Sequence, residues 1–278
     1  MNIMISVWGK NGAGKSTVAS NLACAFARRG QKTALVGANR FYGSIQYYFG
    51  MEFPGERSLR SMLAGRDALN IQPYFLEYAR QKNLFVASLS NTDDYIGYQR
   101  MRTDAVTRFL NLVKKSFQVT IIDCDESTED PLSMLSLTIA EKIVYVTRPT
   151  LQAAVFAKAC EGLVAGLRVA EKLRVVFVEN SRRSELSSFA PFGLAGPRAV
   201  LPFCREIEGA EGEGVPILLT RGLSRASRVY RREIETIASR LTAAEGEAAE
   251  ADAPKAEAAA AGAVKSGAGE GESEVCDA

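Results

Sequence analysis

The chain has 278 residues, and its 47% hydrophobic content is enough for a substantial core in one large α/β domain or two small ones. It contains no histidine, which excludes histidine acid–base catalysis, histidine metal ligands and every nucleophile that depends on a histidine. No apolar run approaches the ~18–20 residues of a membrane-spanning helix, so no transmembrane segment is expected.

Five cysteines are scattered along the chain without a C-x-x-C pair. The N-terminus leads directly into an apolar run, without the basic region and cleavage site of a signal peptide. Free thiols in a reducing compartment are therefore expected, and the predicted location is cytoplasmic.

A glycine-rich loop near the N-terminus carries the strongest motif. It matches the phosphate-binding pattern G-x-x-x-x-G-K-[ST]. Its residues are Gly9, Lys10, Asn11, Gly12, Ala13, Gly14, Lys15, Ser16 and Thr17. The apolar run Ile3 to Trp8 predicts a buried strand before it, and apolar residues from Val18 to Phe26 recur at helical spacing after it. Strand, loop and helix together predict a nucleotide-binding site.

The residue types of this loop suit the chemistry of phosphate binding. Its glycines let backbone N–H groups converge on one anion, and the helix N-terminus adds its positive dipole end. Lys15 is expected to reach the β- and γ-phosphates. The Ser16 hydroxyl is expected to bind Mg²⁺, with Thr17 supporting the same corner.

A lysine directly after the first glycine resembles the deviant Walker A box of the ParA/MinD family of ATPases, written K-G-G-x-G-K-[ST]. Here Asn11 replaces one glycine, and Lys10 is the additional lysine. An ordinary exposed lysine is the alternative. In that family the first lysine reaches the nucleotide of a dimer partner. The resemblance covers roughly residues 1–242 and implies ATP and Mg²⁺ as cofactors, a homodimer with ATP, and catalytic roles for Lys10 and Lys15.

The second predicted strand, Lys32 to Val36, departs from that family. There the strand ends in Asp-x-Asp, which begins switch I, but here the positions are Gly37, Ala38 and Asn39. The aromatic segment from Phe41 to Phe53 follows. We interpret it as packing against the sheet rather than as a base-stacking platform. The next predicted elements are a short helix over Ser58–Gly65, a helix over Tyr74–Lys82 and a strand over Leu84–Ala87.

A Walker B pattern follows an amphipathic helix predicted around Ala105–Val113. The apolar strand Phe117 to Ile122 ends at Asp123, which is expected to orient Mg²⁺ through a water. Asp125 and Glu126 come next. Either they belong to a solvated acidic loop, or one of them replaces the missing switch I acid in catalysis.

The later elements place candidates on the adenine side. A strand over Lys142–Val146, a long helix over Leu151–Leu173 that is broken or bent near Gly162 and Gly166, and strands over Arg174–Val178 and Ala199–Leu201 are predicted. In the family an asparagine after the strand that corresponds to Arg174–Val178 reads the adenine ring, which makes Asn180 a candidate. A loop asparagine favoured for turns fits that position equally well. Pro202 borders the same pocket in relatives.

The last predicted helix, over Ser224–Leu241, carries an arginine stripe. Its members fall at i, i+4, i+7 and i+11 and are Arg221, Arg225, Arg228 and Arg232. Nonspecific contact with the DNA backbone is one use of such a stripe. A solvated helix face paired with nearby acids is the other.

Residues 243–278 form a separate tail by composition. The tail holds nine acids and two lysines, so its net charge is about −7. Because the whole chain has a net charge of +2, the remaining body carries about +9. It lacks aromatic residues and has little to bury, so it is predicted to be disordered.

Alternating strands and helices predict an α/β fold, a mostly parallel, doubly covered sheet of about seven to eight strands of the P-loop NTPase type. The resemblance implies an ATP-dependent dimerisation switch with weak hydrolysis that positions DNA or a protein partner of a partition, division or pilus system. The missing switch I acids resemble the CpaE/TadZ pilus-assembly branch, whose common receiver-like N-terminal domain is absent here. A nucleotide-binding scaffold without turnover is the alternative. An iron–sulfur reductase would need paired cysteines.

Overall fold

The structure is a computed structural model that describes residues 2–65, 70–93, 101–127, 129–179, 190–194, 199–221 and 224–243. The strands described are β1 Ile3–Trp8, β2 Thr33–Gly37, β3 Leu76–Glu77, β4 Leu84–Ala87, β5 Val119–Asp123, β6 Lys142–Thr147, β7 Leu173–Val178 and β8 Ala199–Leu201. The helices described are α1 Lys15–Arg28, α2 Ser44–Tyr47, α3 Leu59–Ala64, α4 Thr103–Ser116, α5 Pro131–Ile139, α6 Leu151–Ala159, α7 Glu161–Leu167, α8 Glu206–Gly212 and α9 Arg225–Thr242.

The described strands form one eight-stranded sheet in the order β3-β4-β2-β5-β1-β6-β7-β8. Each pairing in it is parallel except that of the edge strand β3 with β4, which is antiparallel. The predicted fold class is therefore confirmed, including the number of strands.

Two apolar layers cover the sheet because side chains alternate between its faces. On β1, Ile3, Ile5 and Val7 join a core that includes α1 and α9. Met4 and Trp8 of the same strand join the opposite core, which includes α4 and α5. Burial on both sides explains why these strands are continuous apolar runs in the sequence.

The strand register brings the candidate loops together at one edge. Val7 pairs with Asp123, and Asp123 in turn pairs with Gly37. The carboxyl ends of β1, β5 and β2 therefore lie side by side, with the glycine loop, the acidic loop and switch I following them. In open parallel sheets this is the edge where ligands bind.

The helix predicted over Tyr74–Lys82 is wrong. The chain instead forms a 3₁₀ turn over Gln72–Tyr74 and the short strand β3, and the Tyr78 N–H donates to the Leu84 carbonyl at 2.8 Å. Phe75 and Tyr78 are buried by this hairpin. Packing against the sheet has outweighed a weak local helix preference.

The long helix predicted over Leu151–Leu173 is broken near Gly162, as expected, because helices α6 and α7 meet at Cys160. Its predicted C-terminal end is wrong, because α7 ends at Leu167. Helix α7 ends before Arg168, whose φ of 54° is left-handed and closes the helix.

No helix among the described residues is long and apolar enough to cross a membrane. Residues 244–278, nearly the whole predicted tail, lie outside the described residues. Their disorder and the domain boundary stay predictions.

Candidate nucleotide-binding site

Glycine is required where the loop passes closest to the sheet. Gly9 has φ of +149°, and a Cβ there would lie 2.1 Å from the Val146 carbonyl oxygen of β6. Gly14, with φ of 98°, adopts a left-handed conformation immediately before α1. These two positive-φ positions give the loop the turn by which backbone N–H groups can form an anion site before a helix.

Lys15 is a buried cation at the centre of this loop. Its ammonium donates to the Asn11 Oδ1 atom at 2.9 Å. Burial lowers the pKa of Lys15, while the carboxylates of Asp123, Glu126 and Asp125 act in the opposite direction. A buried ammonium is stabilised by an anion beside it, which is what the phosphates of a nucleotide provide.

Asp123 and Ser16 form a site whose chemistry fits Mg²⁺. The Ser16 hydroxyl donates to Asp123 Oδ2 at 2.6 Å. Asp123 Oδ1 is buried and has no hydrogen-bond partner among the described residues. Burial raises the pKa of Asp123 to about 6, although the Ser16 hydrogen bond and Lys15 lower it. A hydroxyl and a carboxylate oxygen are hard ligands, and this pair therefore suits magnesium.

The two other acids of this loop have partners of their own. Asp125 Oδ1 accepts the Ser127 N–H at 3.1 Å, and its Oδ2 lies 4.0 Å from Arg40 Nε. The Glu126 carboxylate accepts the N–H of Asn11 in the phosphate loop. Both lie near the nucleotide site, and their catalytic role stays a prediction.

Close packing at Gly37 explains why the first position of switch I carries no acid. A Cβ on Gly37 would lie 2.5 Å from Ile45 Cγ2 of α2 and 2.9 Å from Ile45 Cβ. Asn39 lines the cavity above the phosphate loop, and its Oδ1 accepts the N–H groups of Phe41 and Tyr42 at 2.9 and 3.4 Å. Asn39 therefore holds the turn that leads into the aromatic segment.

The aromatic segment has two structural roles. Phe49 and Phe53 are buried in the core, as the packing interpretation expects. Phe41, Tyr42 and Tyr47 are instead more than half exposed and line a cavity of about 710 Å³ over the phosphate loop. The packing interpretation is therefore wrong for these three residues.

A second cavity, of about 240 Å³, lies on the nucleoside side of the loop. Pro202 lines it together with Glu179, Glu211 and Tyr230, and it shares Thr17 with the phosphate cavity. The other adenine-side candidate, Asn180, lies outside the described residues. The smaller cavity is the candidate for a base with its ribose, and the larger cavity over the phosphate loop is the candidate for the phosphates with their metal.

Three site residues are absent from the sequence-based set. Arg148 follows β6 and lines both cavities. Tyr48 lies beside the hydroxyls of Ser16 and Thr17, and its pKa is raised to about 12, mainly by burial. Glu211 Oε1 accepts the Thr17 hydroxyl at 2.5 Å. Position at a strand end marks Arg148 in the sequence, whereas Tyr48 and Glu211 follow no periodic signal.

The arginine stripe is partly helical. Arg225, Arg228 and Arg232 are exposed on α9, opposite a buried side that includes Tyr230, and Arg232 lies 3.4 Å from Glu233. Arg221 precedes the helix and is also exposed.

A glycine loop, a serine hydroxyl and a strand-end aspartate at the carboxyl edge of a parallel sheet define a P-loop nucleotide-binding protein. A family model described as "ParA: NUBPL iron-transfer P-loop NTPase" matches residues 1–180. The chain belongs to this ParA family of P-loop NTPases, which confirms the resemblance to ParA and MinD.

Several relatives of this chain are MinD proteins. Septum site-determining protein MinD of Thermotoga maritima is 26% identical over 253 residues, 86% of this chain and 88% of that protein. The structure of MinD complexed with Mg-ADP from Pyrococcus horikoshii has a TM-score of 0.67 at 21% identity, over 85% of this chain and 96% of that chain. A chain of the Aquifex aeolicus MinC:MinD complex has a TM-score of 0.69 at 17% identity, over 86% of this chain and 95% of that chain. A magnesium nucleotide is thus a cofactor in this family.

Proposed function

We propose that this protein is an ATP-binding switch of the ParA/MinD type, which dimerises with ATP and positions a cargo. The observation that carries the proposal is the joined site of Lys15, Ser16 and Asp123, in which a buried ammonium lies in the phosphate loop and the buried Asp123 Oδ1 has no hydrogen-bond partner among the described residues. The phosphates of ATP would pair with the ammonium, and Mg²⁺ would pair with the carboxylate. Calorimetric titration with ATP and Mg²⁺ tests it, and the absence of binding would contradict it.

Exposed apolar side chains around the phosphate site support a homodimer. Leu151 and Val155 of α6 are 72% and 61% exposed, and they follow β6, the neighbour of β1. Phe41, Tyr42 and Tyr47 flank the other side of the phosphate loop. A second copy covering this edge would bury both groups, and apolar patches of this kind mark interaction surfaces.

Lys10 lies at the centre of that edge. The one hydrogen bond of its ammonium among the described residues is a long one, 3.5 Å to the Asn11 carbonyl. This leaves the ammonium available to the nucleotide of a partner. A charge pair at a dry interface is much stronger than one in water.

Lys10→Ala is therefore expected to leave ATP binding by the monomer largely intact and to weaken the ATP-dependent dimer. Leu151→Glu is expected to weaken the dimer as well, because the glutamate charge would be buried in the dimer interface. Sedimentation velocity with and without ATP measures both effects. Val200→Glu is the matched control, since Val200 is exposed on the distant edge strand β8. A wild-type protein that stays monomeric at every ATP concentration would contradict the proposal.

DNA is one candidate cargo, and the exposure of Arg221, Arg225 and Arg228 favours it. Binding should lack sequence preference and fall steeply with salt, because it releases counter-ions from phosphates. The double change Arg225→Ala, Arg228→Ala is expected to reduce the slope of log affinity against log salt by about 2. Fluorescence anisotropy with a duplex measures this, and Arg80→Ala, in an exposed turn, is the control. Equal slopes for the wild-type protein and the double variant would show that the arginine stripe does not contact DNA.

A nucleotide-binding scaffold for pilus or secretion assembly is the second candidate function. The absence of a switch I carboxylate at Gly37 and Asn39 favours it. In that case nucleotide binding and dimerisation persist without turnover.

A further inference from the structure

The phosphate loop has a defined direction relative to the two cavities. Both cavities are lined by Gly14 and Thr17 at the end of the loop where α1 begins, but of the two only the larger extends to Asn11 and Gly12. The smaller cavity is therefore the candidate for the nucleoside. The Lys15 ammonium, which reaches the β- and γ-phosphates in such loops, lies 2.9 Å from Asn11 Oδ1 near the other end. A nucleotide therefore runs from Thr17 toward Asn11, and its third phosphate belongs beside Asn11.

The carboxylate of Glu126 is held at this far end. It accepts the backbone N–H of Asn11, at the end of the loop where the third phosphate is expected. The loop that carries Glu126 is anchored on both sides of the contact. The Asp125 N–H donates to Ser133 Oγ of α5 at 2.8 Å, and the Ser127 N–H donates to Asp125 Oδ1 at 3.1 Å.

A second carboxylate provides an internal comparison at the near end of the loop. Glu211 of α8 accepts the Thr17 hydroxyl at 2.5 Å, on the nucleoside side. Burial raises the pKa of Glu211, and the hydrogen bond from Thr17 opposes that shift. Both ends of the phosphate loop are thus hydrogen-bonded to carboxylates from other elements, but only Glu126 meets the end where ATP and ADP differ.

We propose that Glu126 is the residue by which this site distinguishes ATP from ADP. The inference rests on the proposed nucleotide-binding function and specifies how one part of that site works. A third phosphate competes with the Glu126 carboxylate for the Asn11 N–H and repels it as a like charge. ADP has no group at that position and leaves the contact in place. A ligand can shift an equilibrium only by its differential interaction with the two states, and here the third phosphate supplies that difference.

The consequence is that ATP displaces the loop of Glu126 and ADP does not. Part of the binding energy of the third phosphate is then used to break the contact with Asn11. The intrinsic preference for ATP over ADP is reduced in the wild-type protein. As a result, the position of the loop that carries Glu126 depends on whether ATP or ADP is bound.

The test compares the dissociation constants of ATP and ADP by calorimetry with Mg²⁺ present. Glu126→Gln removes the charge and keeps an oxygen that accepts the Asn11 N–H. We expect it to strengthen ATP binding and to increase the ratio of the ADP constant to the ATP constant by about tenfold, an ordinary coupling between neighbouring groups. Glu126→Ala is the second variant and should change the ratio in the same direction.

Two matched controls separate this effect from loss of charge in general. Glu129→Gln removes a carboxylate from the same loop, where the side chain is 86% exposed, and should leave the ratio unchanged. Glu211→Gln should alter the binding of ATP and ADP by the same factor. Thermal melting without added nucleotide checks that each variant is folded.

An unchanged ratio in both Glu126 variants, with ATP still bound, would overturn the inference and leave the proposed function intact. An equal rise of the ratio in Glu129→Gln would overturn it too, because the effect would then be one of net charge. Failure of the wild-type protein to bind either nucleotide would overturn both the inference and the proposed function.

Discussion

Lys15→Ala is expected to abolish detectable binding of ATP and ADP. Its ammonium is the buried cation of the phosphate loop and lies within 2.9 Å of Asn11 Oδ1, so its loss removes the principal positive charge facing the phosphates. The folded protein should survive the change, because a buried ammonium with a lowered pKa contributes little to stability. Thermal melting measures both points. ATP at 100 times its dissociation constant adds about 2.7 kcal/mol to the wild-type stability, and it should add nothing to the variant.

Lys10→Ala is the control for this experiment, since it removes a lysine from the same loop. It should keep the stabilisation by ATP at concentrations where the protein is monomeric. Equal stabilisation of the wild-type and Lys15→Ala proteins by ATP would show that the nucleotide binds elsewhere.

Asn39→Asp is expected to increase the rate of ATP hydrolysis by about 100-fold, from a wild-type rate barely above background. General base assistance is typically worth 10²–10⁴-fold. Phosphoryl transfer to water needs a group that holds the attacking water, and an amide cannot accept its proton. Asn39 lines the phosphate cavity, and an aspartate there would still accept the N–H groups of Phe41 and Tyr42. Phosphate release at saturating ATP measures the rate.

Asn39→Ala is the control, because it removes the turn acceptor without adding a carboxylate. Asp125→Asn and Glu126→Gln should be assayed beside it. Loss of the residual activity in one of them identifies the surrogate acid, whereas no loss in either indicates a scaffold. Brisk wild-type turnover that both changes leave unaffected would contradict this interpretation of switch I and of the acidic loop.

The phosphate loop and the sheet were predictable because each depends on local sequence. Gly9 and Gly14 occupy positions that few other residues tolerate, and β1 and β5 are apolar runs bounded by polar loops. The hairpin around Tyr78 was not predictable in this way. Its conformation depends on pairing of β3 with β4, a contact that a local pattern does not contain.

The remaining site residues come from segments far apart in the chain. Glu211 contacts Thr17, which lies 194 positions earlier in the chain. Its helix, α8, contains two glycines and is therefore hard to predict from the sequence. Arg148 and Tyr48 approach the loop through the order of the strands and the packing of α2. Contacts of this kind cannot be predicted from the spacing of residues along the sequence.

The contact between Gly37 and Ile45 also limits how this site can change over generations. An aspartate at position 37 would place its Cβ 2.5 Å from Ile45 Cγ2. The substitution is therefore tolerated only after Ile45 has become smaller, and shrinking Ile45 alone opens a cavity in the core at a cost of roughly 2–5 kcal/mol for a change to alanine. The order of steps is fixed and its first step is harmful. A carboxylate at position 37 therefore needs two coordinated substitutions, whereas a carboxylate at position 39 needs one.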